Sequence, residues 1–111
     1  MKKFCFAIDL INDPASIAGY EQWHKNVAPE IKKSITDAGI TNMELYRTGN
    51  RLFMIMETDE TFSFERKTAM DAANEKVQEW EKLMSTFQQP LPWADKGEKW
   101  TVMHKIFELR D

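Results

Sequence analysis

The apolar positions of this chain change their spacing several times, and each change marks an element. Phe4 to Ile11 is a short run rich in aromatic and branched residues that stops at Asn12-Asp13-Pro14, which predicts a strand running into a helix start. Asp13 has a capping side chain, and Pro14 suits the first helical position, where no amide is needed. From Ser16 the pattern is helical. Pro29 cannot donate an amide and biases Ala28 away from helix, so a break is expected there. Gly39 then takes the position just past a helix end that glycine favours.

Ile40 to Arg47 and Arg51 to Thr58 are strand-like, and Thr48-Gly49-Asn50 between them is a hairpin signal, so the two strands should be antiparallel neighbours. Thr61 to Phe87 regains helical character, with Val77, Trp80, Leu83, Met84 and Phe87 at the three-and-four spacing of an amphipathic helix. Asn74 can cap its second half. Gln88 to Lys99 holds two prolines and a glycine and reads as an ordered loop, and Trp100 to Leu109 reads as a last strand. The succession β-α-β-β-α-β predicts one α+β domain over residues 1–111. It is of the ferredoxin-like type, a four-stranded antiparallel sheet with its helices on one face.

The run Leu52-Phe53-Met54-Ile55-Met56 departs from the alternation of a half-exposed antiparallel strand, because it is apolar on both faces. Two helices cover only one side of such a sheet. A second copy of the chain is the simplest cover for the other, so a homodimer is expected.

Composition narrows the function classes. With 42% hydrophobic residues in 111, the chain has enough apolar mass for one core. A formal charge of −3, with no basic run longer than two residues, argues against a nucleic-acid partner. Cys5 is the only cysteine, which excludes an intrachain disulfide and suits a reducing, cytoplasmic compartment. The opening Met-Lys-Lys precedes an apolar stretch that Asp9, Asn12 and Asp13 cut too short for a signal peptide, and no segment is long enough to span a bilayer.

For chemistry, the segment from Tyr20 to Glu30 stands out. On a helix, Tyr20 and His24 share a face, and a phenol beside an imidazole can hold a polar ligand and move a proton. On spacing alone, His24 can equally be a histidine satisfied in the core or at the surface. Trp80 fits the core stripe of its helix, with Glu81 beside it and off that stripe. Trp23, Trp93 and Trp100 complete a set of four indoles, which serve as core or as stacking faces for a sugar ring. His104 is expected at an exposed or edge position of the last strand. No histidine, cysteine and carboxylate grouping has metal-ligand spacing, and there is no phosphate-cradling glycine loop or nucleophile elbow.

Taken together, Tyr20-x-x-x-His24 with Pro29-Glu30, Gly39-Ile40-x-Asn42, Leu45-Tyr46, Leu52-Phe53, Trp80 with Met84, and Ile106-Phe107 resemble the L-rhamnose mutarotase family over nearly the whole chain. The resemblance implies a dimeric α/β barrel and a cofactor-free enzyme that interconverts the α and β anomers of a 6-deoxy-hexose, L-rhamnose foremost, with L-fucose as the alternative. It puts His24 where the family has its proton donor, Tyr20 on a substrate-binding tyrosine, and Trp80 on the first of two tandem tryptophans that line the sugar. Two positions depart from the enterobacterial pattern: Met43 stands in place of a sugar-contacting tyrosine, and Glu81 in place of the second tryptophan. Both bear on which sugar is bound. Tyr20, Glu30, Glu81 or an ordered water could supply the base that complements His24. Other functions hosted by the same architecture are a cofactor-free or haem-degrading monooxygenase and a sugar-binding domain without turnover.

Overall fold

A computed structural model describes residues 1–110; of the domain expected over 1–111, only Asp111 lies outside the described residues. The element order is β1 (Lys2–Leu10), α1 (Pro14–His24), α2 (Pro29–Asp37), β2 (Ile40–Thr48), β3 (Arg51–Thr58), α3 (Phe64–Ala72), α4 (Glu75–Ser85), β4 (Gln88–Gln89) and β5 (Thr101–Val102). The strands form an antiparallel sheet in the order β2-β3-β1-β4, with β5 also paired to β1. This is the ferredoxin-like α+β arrangement, with each of its two helical segments broken in two.

Local chemistry accounts for the breaks. Asp13 accepts a hydrogen bond from the Ser16 amide at 3.2 Å, and Pro14 follows as the first helical residue. Pro29 starts α2 in the same way, so α1 and α2 are separate helices. Asn74 accepts from the amides of Lys76 and Val77 at 3.0 and 3.3 Å and divides α3 from α4. These side chains satisfy donors that a helix start leaves unpaired. Arg66 on α3 donates to the main-chain oxygens of Ala38 and Asp37, both at 3.0 Å, and so ties α3 to the end of α2.

The hairpin turn is Gly49-Asn50, closed by the Thr48–Arg51 pair. Gly49 has φ 56°, and among the described residues no type other than glycine has a positive φ, which matches the two-residue turn that places glycine first. Register then sorts the side chains. Phe6, Ile8, Leu52, Met54, Met56, Met43 and Leu45 share the helix-covered face, since Phe6 faces Met54, Ile8 faces Leu52, Met43 faces Met56 and Leu45 faces Met54. Ile8, Leu10, Tyr20, Leu52 and Met84 form the buried centre, and Ile17, Leu45, Trp80, Leu83, Phe87 and Trp100 pack around it.

The fourth strand differs from expectation. Gln88 and Gln89, read as loop, pair with Leu10 and Asp9, and the chain leaves the edge before Thr101 and Val102 rejoin β1 opposite Ala7 and Phe6. Trp100–Leu109 is therefore not one continuous strand. Pairing ends at the Met103 amide, which donates to the Cys5 oxygen at 2.8 Å. Ile106, Phe107 and Leu109 lie 96%, 75% and 88% exposed. Strand-like composition expresses a fit to a half-buried pleated surface, and this chain offers those residues none.

On the opposite face of the sheet, Asp9 is buried and held by Arg51, whose Nε and one terminal nitrogen donate at 2.7 and 3.2 Å. Trp93, from the excursion between β4 and β5, lies over the Arg51 guanidinium at 5.1 Å.

Candidate functional site

A solvent-open cleft of about 880 Å³ lies between the helices and the covered face of the sheet. Its floor comes from β2 and β3, where the cross-strand pairs Met43–Met56 and Leu45–Met54 make a continuous apolar surface. Helices supply most of the remaining wall, completed by Phe6 of β1 and by Gln88, Lys99 and Trp100.

His24 is the last residue of α1, and its Nδ1 lies 2.8 Å from the main-chain oxygen of Tyr20, one turn earlier. A carbonyl oxygen only accepts, so Nδ1 carries the hydrogen and donates it. Nε2 is then the nitrogen left for a ligand. The imidazole sits between two aromatic rings. The Tyr20 ring lies 4.4 Å away between centroids at an interplanar angle of 32°, and Trp80 meets it at 5.3 Å and 68°, edge to face. The hydrogen bond selects the tautomer, and the two flanking rings hold the orientation of the imidazole.

Tyr20 is only 4% exposed. Burial pushes its phenol pKa above the ordinary 10.0, against a smaller opposing effect of the Gln88 side chain. The phenol stays protonated at neutral pH, so Tyr20 can hold a ligand or position His24 but is a poor base.

Glu81 follows Trp80 on α4 and is exposed at the cleft. Its main-chain oxygen accepts from the Ser85 hydroxyl at 2.7 Å. Tyr20, His24, Met43, Trp80 and Glu81 thus all line one cleft. Glu30 does not. It lies in a separate hollow of about 250 Å³ with Ala28, Lys76 and Glu79, and Trp80 and Ile31 border both spaces. Trp23 and Trp93 are exposed and away from the cleft, whereas Trp100 is partly buried against the core and lines it. His104 is exposed beyond β5, and Cys5 is partly buried in β1.

Sequence reasoning missed Lys67 and Asp71 on α3. Their side chains line the same cleft as a partly buried ion pair, with Nζ 2.6 Å from Oδ2. The available signal was their four-residue spacing, which in a sequence is indistinguishable from that of a solvated helix pair. Gln88 and Lys99 were missed because they belong to the stretch read as loop.

Among the described residues, no group of three or more histidine, cysteine, aspartate or glutamate side chains is placed to hold a metal ion, and no helix is long and apolar enough to cross a membrane.

Residues 3–109 match the family described as L-rhamnose mutarotase. An L-fucose mutarotase from Xanthomonas campestris is 42% identical over 113 aligned positions, covering 100% of this chain and 90% of the relative. Among solved structures, an L-rhamnose mutarotase from Formosa agariphila superposes with a TM-score of 0.72 at 20% identity, over 98% of this chain and 99% of that one. A type-II polyketide cyclase from Streptomyces glaucescens superposes at 0.65 and 12% identity, over 97% and 96% of the two chains. The fold alone therefore accompanies more than one chemistry.

Proposed function

The chain belongs to the L-rhamnose mutarotase family, and from that premise we propose that it interconverts the α and β anomers of a 6-deoxy-hexose, with L-fucose ahead of L-rhamnose. The observation that carries the reading of the sugar is the 42% identity, over the whole chain, to a protein described as an L-fucose mutarotase. L-Rhamnose, foremost on sequence pattern alone, becomes the second substrate.

Mutarotation opens the hemiacetal. The anomeric hydroxyl loses its proton, the ring oxygen gains one, the C1–O5 bond breaks, and the open chain recloses on the other face of the aldehyde. The site therefore needs a proton donor and an acceptor at opposite ends of one short path. His24 is the proposed donor to the ring oxygen through Nε2, acting from its imidazolium form, in which Nε2 also carries a hydrogen while Nδ1–H stays committed to the Tyr20 carbonyl. Trp80, edge-on to the imidazole, and Tyr20 hold the plane of the imidazole; stacking of a sugar ring on the Trp80 indole would orient it without demanding one anomer, as an enzyme that accepts both requires. Of the side chains considered as complementary base, Glu81 lines the cleft, Glu30 lies outside it, and Tyr20 is held protonated. Met43 and Met56 offer the sugar's apolar edge a deformable surface.

A homodimer and a cytoplasmic setting belong to the same proposal. Phe53 and Ile55 lie on the sheet face away from the helices beside exposed Tyr46, and Ile106, Phe107 and Leu109 are exposed on the tail. An apolar surface of that extent suits burial against a second copy. Sedimentation as a clean monomer at micromolar concentration would remove the dimer. A single, partly buried cysteine fits a reducing compartment.

Saturation-transfer NMR on equilibrated L-fucose and L-rhamnose, with and without the protein, tests the reaction. Accelerated exchange, greater for L-fucose, is expected. Ligand line broadening without faster exchange would replace the enzyme with a sugar-binding protein.

A further inference from the structure

Among the described residues, four ion pairs join side chains three or four positions apart, and three of them stand in solvent. The side chains of Lys33 and Asp37, for example, are 75% and 46% exposed. Those of Lys67 and Asp71 are 24% and 13% exposed, and they face the cleft. Withdrawing two charges from water is costly, and a pair that served only to support its helix would do so as well on the outer face.

The surroundings sharpen the contrast. Phe6, Phe64, Met54 and Val77 line the cleft with this pair. A few polar groups set in an apolar concavity is the composition of a small-molecule site. Asp71 is also held in place from outside its own helix, since its main-chain oxygen accepts from Gln78 Nε2 of α4 at 2.8 Å. Lys67 occupies Oδ2. Oδ1 accepts no hydrogen bond among the described residues and is left for a ligand hydroxyl, while the Lys67 ammonium has further hydrogens to donate.

We propose that Lys67 and Asp71 form the hydroxyl-reading wall of the sugar site and set which 6-deoxy-hexose is preferred. The inference rests on the mutarotase reading above. L-Fucose and L-rhamnose differ in configuration at C2 and C4, not at the ring oxygen or at C1, where the bonds change. A carboxylate and an ammonium at fixed separation accept from one secondary hydroxyl and donate to another, and so select their relative configuration. Because the pair touches hydroxyls outside the reacting bonds, its loss weakens binding more than it slows turnover.

The test measures anomer exchange over a concentration series of each sugar for the wild type, Asp71→Asn, Lys67→Met and the charge-exchanged double variant Lys67→Asp/Asp71→Lys. Each single substitution is expected to raise KM for the preferred sugar by about tenfold or more, with a smaller change in kcat, and to shift the ratio of the two sugars by a similar factor. The double variant keeps an ion pair on the helix, with the acid now N-terminal, the orientation helices favour. It should melt like the wild type but not regain the wild-type KM. Full recovery in the double variant, or single variants within about twofold of wild type on both sugars, would make the pair structural and overturn the inference. Wild type that accelerates neither sugar would overturn this inference and the mutarotase reading together, whereas active wild type with unchanged variants overturns this inference alone.

Discussion

The imidazole of His24 donates through Nδ1 to the main-chain oxygen of Tyr20, 2.8 Å away, so the helix that carries the histidine also fixes its tautomer. On the proposed role of His24, holding and reacting fall to different nitrogens, and substitution can separate them. In His24→Asn the side-chain amide can imitate Nδ1–H toward the carbonyl while nothing replaces Nε2. Melting should stay close to wild type. Anomer exchange should fall by roughly a hundredfold to ten-thousandfold, the usual contribution of one positioned proton transfer, as read by exchange NMR at saturating sugar. Full activity in this variant would remove His24 from the reaction.

Tyr20 predicts an alkaline limit to stability. Its phenol pKa lies above the ordinary 10.0 because burial disfavours the phenolate. Above pH 10, the unfolded chain therefore releases this proton more readily than the folded one. Fewer protons on the unfolded state means that unfolding free energy declines as pH rises. The contribution is full below the unfolded value and is lost as pH climbs through the folded one. Urea midpoints measured from pH 7 to 11 should stay level near neutrality and drop above about pH 10. In Tyr20→Phe that drop should be shallower. An equal drop in both proteins would show that the burial of this phenol does not couple to folding.

The features legible in the sequence are those decided by local backbone chemistry. Pro29, Asn74 and Gly49 act through a missing amide, a capping amide oxygen and a positive φ, and each divides the chain where expected. Gln88 and Gln89 carry no strand signal, and their pairing with Leu10 and Asp9 is imposed by the position of β1. Conversely, Ile106-Phe107 has strand composition and no surface of this chain to lie on. The candidate site divides in the same way. Tyr20 and His24 meet because four residues make one helical turn, whereas the turning of Lys67 and Asp71 into the cleft depends on how α3 seats against the sheet. That seating is a tertiary fact, and their spacing does not encode it.

Gly39 is the position where the backbone tolerates least. It joins α2 to β2 at φ 96°, a conformation costly for any residue with a side chain. A Cβ there would also stand 2.6 Å from Thr61 Oγ1 and 2.7 Å from Asp59 Oδ1, two atoms already hydrogen-bonded to each other. Relief would require breaking that pair, and the Phe62 amide at 3.0 Å blocks movement of the Cβ in its direction. Gly39→Ala is expected to destabilise the protein by about 2 kcal/mol or more, combining backbone strain with the clash. Chemical denaturation against Gly49→Ala provides the comparison. At Gly49 φ is also positive, but nothing lies within 4 Å of the added Cβ, so its cost should be the smaller of the two.

Glu81 gives a prediction about affinity that does not depend on who supplies the base. It is exposed at the cleft beside Trp80, at the position where the enterobacterial pattern has a second indole. A carboxylate there can accept from sugar hydroxyls, and an exposed hydrogen bond to a charged group is worth about 1 kcal/mol after solvent screening. Glu81→Gln should therefore raise KM for L-fucose by roughly fivefold. If kcat holds, Glu81 binds the sugar and the complementary base lies elsewhere. A fall in kcat of a hundredfold or so, with KM little changed, would assign the base to Glu81 instead. Glu81→Trp is the complementary experiment, exchanging a hydroxyl acceptor for an apolar stacking face on the same wall as Trp80. Its expected outcome is a shift of relative kcat/KM away from L-fucose and toward L-rhamnose, read in a competition containing both sugars. An unchanged ratio would show that the configuration of the sugar is read from other parts of the cleft.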